Sequence, residues 1–301
     1  MSKKLTALVL ALVCLFCISC AMAQDAAVTT NDMYGREVTL AAPATRIVAL
    51  TAADCEILCA LGGEELLVGR GAYCDYPASI QDVTIVQSGV DTNLEEIIAL
   101  EPQLVLMGDM AQAKEVVLAL EEMGIRVAVS DSDSIEDVYT AIGMIGTLAG
   151  RDAEAEALVK QMKDAFGQIA ASTENNGKTI YFEVSPLQYG LWTAGSNTFM
   201  DELATLCGLT NAFKDVEGWG AVSEEQVLAR DPDYIVTITM YYGEGPTPVE
   251  EIMARESWQT LKAVANEQVF NANSDTISRP GPRLKDAAQE LFGFLNGTAA
   301  E

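Results

Sequence analysis

A thirteen-residue pattern occurs twice in this chain, 130 positions apart: NLEEIIALEPQLV at residues 93–105 and SEEQVLARDPDYI at residues 223–235. Each copy runs from a residue suited to capping a helix, through an acidic first turn and an apolar stripe, to an acid–proline break and a strand-like run. A helix–strand unit repeated at that distance points to two similar α/β halves. In each copy the cap, Asn93 or Ser223, is followed three residues later by Glu96 or Gln226, which is predicted to reach back to the cap's own N–H. Glu95 and Glu225 are identical in the two copies and are not needed for that box, so both can project from a helix tip. Spacing alone reads them as partners of the helix dipole, each contributing roughly 0.3–1 kcal/mol.

Around the two copies, apolar strands alternate with amphipathic helices. Strands are predicted at 37–40, 46–50, 66–69 and 126–129, with helices at 52–61 and 112–123. Two helices then follow without a strand between them, 134–149 and 152–171, broken at Gly150. The second is long and amphipathic, and reads as a connector. A strand at 179–184, a helix at 200–206, a strand ending at Met240 and a last helix at 282–295 complete the second half. The expected fold is therefore α/β, two Rossmann-like lobes with mainly parallel sheets joined by one long rigid helix. The expected divisions are 31–150 for the first lobe, 151–173 for the helix and 178–301 for the second lobe.

Residues 1–23 read as an export signal: Lys3 and Lys4 precede an apolar run from 5 to 18 that is too short to span a bilayer. Two processing routes are open. Ala21-Met22-Ala23 fits a signal cleavage site, and Ser19-Cys20 fits a lipoprotein acceptor, so the protein is expected outside the cytoplasm, either membrane-anchored through Cys20 or soluble. Removing the signal leaves 16 basic against 44 acidic residues, a net charge of −28. Such a surface repels nucleic acid and anionic lipid.

The body of the chain has four cysteines, Cys55, Cys59, Cys74 and Cys207, and no histidine. Cys55 and Cys59 share a helix face among apolar neighbours and read as buried thiols. The missing histidine removes Ser-His-Asp and Cys-His catalysis and every His-ligated metal or haem. No Gly-rich phosphate loop occurs, and the carboxylates Asp109, Asp131 and Asp133 show no partner spacing for acid–base work. An enzyme built on Rossmann-like lobes is thus the weaker alternative, with no catalytic residue and no metal site assigned.

The whole of the chain after the signal resembles the substrate-binding proteins of ABC importers for vitamin B12 and ferric siderophores. The resemblance is carried by Asp32-Met33-Tyr34-Gly35-Arg36 leading into residues 46–50, by Tyr73-Cys74-Asp75-Tyr76-Pro77, by both repeats, by Met200-Asp201-Glu202-Leu203 and by the Arg279-Pro280-Gly281-Pro282-Arg283 turn. It implies two lobes on a single helix and a ligand held between them. It also implies that Glu95 and Glu225, one on each lobe, dock against arginines of a permease dimer that carries ATPase subunits, the free protein being a monomer. No resident cofactor is implied, the ligand being cargo.

In an open α/β sheet, loops at the carboxyl ends of the strands form the binding crevice. First-lobe candidates are Tyr73, Asp75, Tyr76, Asp109 and Met110. Second-lobe candidates are Tyr189, Trp192, Trp219, Tyr241, Tyr242, Arg279 and Arg283. Loops this rich in aromatic rings suit a large, partly flat ligand. The 73–77 loop, residues 186–189 and the second repeat resemble the vitamin B12-binding members most, so a corrinoid is the expected ligand. A ferric siderophore is the alternative, with Arg70, Arg279 and Arg283 as the candidate basic pocket. Haem ranks below both.

Overall fold

The computed structural model describes residues 27–89, 91–108, 114–175 and 177–298. The expected signal segment, Cys20, Asp109 and Met110 lie outside them. The chain opens with an antiparallel hairpin, β1 (Val28–Asn31) against β2 (Glu37–Leu40). Sequence patterning shows only the second strand, because VTTN has no fully buried position. The hairpin turn is fixed by Asp32, whose buried carboxylate accepts hydrogen bonds from the Tyr34 and Arg36 amides and pairs with the Arg36 guanidinium at 2.6 Å.

The first lobe is a five-stranded parallel sheet built from β3 (Ile47–Ala49), β4 (Leu67–Gly71), β5 (Ile85–Val86), β6 (Leu104–Gly108) and β7 (Arg126–Ser130), in the order β5-β4-β3-β6-β7. The second half supplies β8 (Thr179–Glu183), β9 (Trp192–Ala194), β10 (Thr210–Asn211), β11 (Trp219–Ala221), β12 (Tyr234–Thr237) and β13 (Val269–Asn271). Of these, β10-β8-β12-β13 form a parallel sheet, and β9 and β11 form a separate antiparallel ribbon.

The repeated sequence occupies equivalent places in the two lobes. Its strands, β6 and β12, lie beside β3 and β8, the first strand of each sheet. The acids before the two prolines, Glu101 and Asp231, both take left-handed backbone, with φ of 48° and 45°. Capping differs between the copies. Ser223 and Gln226 form the expected reciprocal box, whereas Glu96 Oε2 accepts the Gln87 amide at 2.8 Å and the Asn93 N–H goes to the Gln87 carbonyl. The first copy is therefore capped by the Asn93 side chain alone.

Alternation along the strands explains how the lobes hold together. Leu104 and Leu106 of β6, Ile180 and Phe182 of β8, and Tyr234 and Val236 of β12 all enter one continuous core. That core also takes Ala155, Leu158, Met162, Phe166 and Ile169 from the Asp152–Ala171 helix. The opposite faces are covered locally, with Val105 and Met107 in a first-lobe cluster and Tyr181 and Ile235 in a second-lobe cluster. Buried on both faces, each sheet reads as a near-continuous apolar run. One shared core runs through both lobes and their connecting helix, so bending between them must disturb packing that resists deformation. The four cysteines of the body are free and buried. Hydrogen bonding to the Cys59 and Cys74 thiols, with burial, pushes the Cys55 thiol up.

The second lobe carries a buried ion pair. Glu183, at the end of β8, accepts from Arg255 Nη1 and Nη2 at 2.7 and 2.9 Å, while the guanidinium stacks 4.2 Å from the Trp258 ring centre. Burial pushes the Glu183 carboxyl up and Arg255 pulls it back, while Arg255 itself is held in its charged form by Glu183 and Glu251. The two shifts favour opposite charge states, and the bidentate geometry decides for the ion pair. Arg255→Met should cost about 3–5 kcal/mol in urea denaturation at pH 7, because a buried carboxylate loses its counter-ion. A raised carboxyl pKa penalises the ionised fold, so that loss should shrink as pH falls toward 4.5, the ordinary value for this group.

Candidate functional site

The ends of β3, β6 and β7 deliver Thr51, Gly108 and Ser130 to the floor of a cleft whose far wall is Phe199, Trp219 and Arg279 of the second half. This cavity measures about 290 Å³. Two further cavities open at the carboxyl ends of the second sheet, of about 450 and 430 Å³, and both are lined by Thr239, Met240, Tyr241 and Tyr242. Their charged lining is acidic throughout: Glu183, Glu244 and Glu251 in one, Asp275 and Glu290 in the other.

The lobes are tied across the cleft by a salt-bridge network centred on Glu56. This residue sits in the Ala52–Ala60 helix with its side chain 1 % exposed. Its Oε1 accepts from Arg279 Nη1 at 2.9 Å and Arg283 Nη2 at 2.6 Å, and its Oε2 from Arg283 Nε at 2.7 Å. Arg279 also meets Asp75 and Asp275, each at 2.7 Å. The Arg283 guanidinium lies 4.1 Å over the Tyr76 ring, a cation–π contact. Burial opposes the charge on both arginines, but the carboxylates outweigh it and hold them above the usual range. The Arg279 hydrogen bond in turn holds the Asp75 carboxyl below its own. A second tie joins Glu202 Oε2 to the Ile135 amide at 2.6 Å.

The basic pocket considered from sequence is thus already committed. Arg279 lines the floor cavity with three carboxylates around it, and Arg283 is bound to Glu56. Arg70 is buried and donates to the carbonyls of Cys74, Ile80 and Gln81, where it shapes the 74–81 loop.

The aromatic residues divide by position. Tyr73, Tyr189 and Tyr242 are 81, 78 and 85 % exposed, rings held in solvent with little protein around them. Trp192 and Trp219 stand on the β9–β11 ribbon, where Ala221 pairs with Trp192 and Ala194 with Trp219, a register that puts both on one face. Trp219 packs on Phe199 with ring centres 5.4 Å apart. Tyr241 donates to the Gly245 carbonyl, closing the tip of its loop. At the start of the Tyr73 loop a Cβ on Gly71 would lie 2.4 Å from the Leu50 carbonyl oxygen, so a side chain there would force the strands apart.

At the helix tips, Glu95 and Glu225 are exposed. Their acidic neighbours are engaged: Glu96 holds the Gln87 amide, and Glu224 accepts from Ser257 Oγ and Trp258 Nε1 at 3.0 and 3.1 Å. The Ser223 hydroxyl and the Glu225 amide keep the Glu225 carboxyl below its ordinary range.

Glu56 was not singled out by sequence reasoning. The signal was present, since an acid in the middle of AADCEILCAL sits among residues that a helix on a sheet buries. Among the described residues, no helix is long and apolar enough to cross a membrane, and no group of three or more acidic or cysteine side chains is placed to hold a metal.

A model of the periplasmic binding protein family matches residues 47–276. The chain belongs to this family. It is 32% identical over 271 residues to an uncharacterized ABC transporter substrate-binding lipoprotein of Bacillus subtilis, covering 88% of this chain and 84% of that one. It is 28% identical over 256 residues to the vitamin B12-binding protein of Pectobacterium carotovorum, covering 83% and 88%. The crystal structure of a possible iron-binding, periplasmic solute-binding protein of Staphylococcus epidermidis superimposes with a TM-score of 0.73 at 28% identity, covering 84% of this chain and 98% of that one. Family membership makes this an extracytoplasmic solute-binding protein of the ABC-importer class.

In a binding protein of this kind, Glu56 should govern the relative setting of the lobes. Glu56→Gln should cost about 3 kcal/mol in denaturant unfolding, because two partly buried arginines lose their shared counter-ion. It should also broaden the interlobe distance distribution measured between spin labels placed one on each lobe. An unchanged distribution would remove Glu56 from that role.

Proposed function

We propose that this protein is the substrate-binding component of an ABC importer and captures a corrinoid in the cleft between its lobes. The observation that carries this reading is the combination of exposed aromatic rings with a cleft whose arginines are all committed to carboxylates. A corrinoid offers broad apolar and amide surface with little negative charge, which such a cleft accepts. A tris-catecholate ferric siderophore, or a porphyrin with ionised propionates, meets acidic walls and must displace Glu56, Asp75 or Asp275 to reach a cation. A ferric hydroxamate lacks that excess negative charge and is the second reading, favoured by the likeness to the Staphylococcus protein.

Glu95 and Glu225 are proposed to dock on the permease dimer. Each is exposed at the same place in its lobe, and its acidic neighbour is occupied elsewhere. Two charges on a body held rigid by a shared core fix orientation and speed encounter more than they add affinity. Anchoring through Cys20 is proposed by analogy with the Bacillus lipoprotein.

Calorimetric titration of residues 24–301 with cyanocobalamin, a ferric hydroxamate and a ferric catecholate tests the reading. One-to-one binding of cyanocobalamin is expected, with the catecholate silent. Binding of the catecholate alone would refute the corrinoid assignment. The Glu95→Ala/Glu225→Ala double variant should keep its ligand affinity within about twofold while uptake falls at least about tenfold. Loss of ligand binding in that variant would place the carboxylates in the pocket instead.

A further inference from the structure

The segment 240–246 (MYYGEGP) follows β12 at its carboxyl end and is held at its two ends alone. On the near side the Ile238 amide donates to the Glu183 carbonyl and the Thr239 amide to the Thr237 hydroxyl oxygen, each at 3.3 Å. On the far side Thr247 caps the Pro248–Met253 helix in a reciprocal box with Glu250. Between these anchors every residue is exposed. Tyr241 Oη donates to the Gly245 carbonyl and Tyr242 Oη to Met240 Sδ, both at 3.2 Å, so the hydrogen bonds of the side chains close within the segment. Among the described residues, no hydrogen bond or ion pair joins 240–246 to the body of the lobe.

Its glycines serve backbone conformation and not packing. Gly243 and Gly245 have φ of 82° and 74°, and a Cβ on either would meet nothing within 4 Å. The left-handed backbone alone calls for glycine there, and it leaves the chain free to turn. There is also space to turn into. Met240, Tyr241 and Tyr242 form a wall common to the cavities of about 450 and 430 Å³, with room on either side. The 430 Å³ cavity adjoins the interlobe cleft through Asp275, which lines it and pairs with Arg279 of the floor.

We propose that residues 240–246 are a strap that folds over the 430 Å³ cavity onto a ligand in the cleft and slows its escape; the inference rests on the cleft being the ligand site, as proposed above. The lobes share one core and cannot close on a ligand as hinged bodies, so retention falls to a smaller element. The two tyrosine hydroxyls are occupied inside the segment, which leaves the exposed ring faces and the Met240 side chain as the contact surface. Laying them on a flat ligand removes apolar surface of both from water. Thr239 and Thr247 stay in place while the chain between them turns about Gly243 and Gly245.

Spin labelling of residues 24–301 tests this. Glu244→Cys carries a nitroxide on the strap, and Lys160→Cys, exposed on the connecting helix, carries the reference; the four cysteines of the body are buried. The label at 244 should be mobile in the free protein and immobilised by cyanocobalamin, with the label at 160 unchanged. A fixed wall would give one spectrum in both states. A ferric hydroxamate and a ferric catecholate are run in parallel. Immobilisation by either of these with cyanocobalamin silent would sink the corrinoid reading and leave the strap standing. Cyanocobalamin bound by calorimetry with the label unmoved would do the reverse. A label immobile from the start, or mobile with all three ligands, overturns the strap. Tyr242→Ala should speed dissociation of the immobilising ligand at least about tenfold in stopped flow while association stays within about twofold. An unchanged dissociation rate would overturn retention by the strap.

Discussion

The buried carboxylate of Glu56, shared between Arg279 and Arg283, is the contact on which the cleft depends. It joins groups 223 and 227 residues apart in the chain and brings the first helix of one lobe against the last turn of the other. Desolvating these charges is costly, and the arrangement is tolerable because each oxygen of Glu56 has a donor and the arginines find Asp75, Asp275 and the Tyr76 ring besides. Two consequences follow at once. The loop from Tyr73 to Pro77 is anchored by Asp75 and Tyr76, so its exposed Tyr73 is presented from a fixed base. The cleft's cations are also spent on the protein itself, where Arg279 and Arg283 are outnumbered by Glu56, Asp75 and Asp275, so a basic feature of the sequence offers no free positive charge to a ligand.

The shared hydrophobic core works in the same direction. Residues of both sheets, the hairpin strand β2 and the Asp152–Ala171 helix form one cluster, so lobe closure cannot proceed by a free hinge. On the function proposed above, such a body would take its ligand in a nearly preformed cleft, release would call for force from outside, and the exposed Glu95 and Glu225, at equivalent positions on the two lobes, would be where the proposed partner applies it.

Much of this was legible in the sequence. The repeated segment gave equivalent helix–strand units beside the first strand of each sheet, and the 152–171 helix was visible because its apolar residues recur at helical spacing over five turns. The β9–β11 ribbon was not legible, since three-residue strands carry too little alternation to detect, although Trp192 and Trp219 stood out as loop aromatics. The role of Glu56 was invisible for a different reason. Local patterning reports which face of a helix is buried, and says nothing of a partner more than two hundred residues away.

A crystal structure of the mature chain with cyanocobalamin would test the central claim most directly, that this cleft takes a ligand by aromatic and amide contacts while its arginines stay committed within the protein. The account predicts the corrinoid between the lobes, against the rings of Trp192, Trp219 and Tyr241, with Glu56 still bridging Arg279 and Arg283. A ligand bound elsewhere, or arginines withdrawn from Glu56 to meet an anionic group on it, would contradict the account.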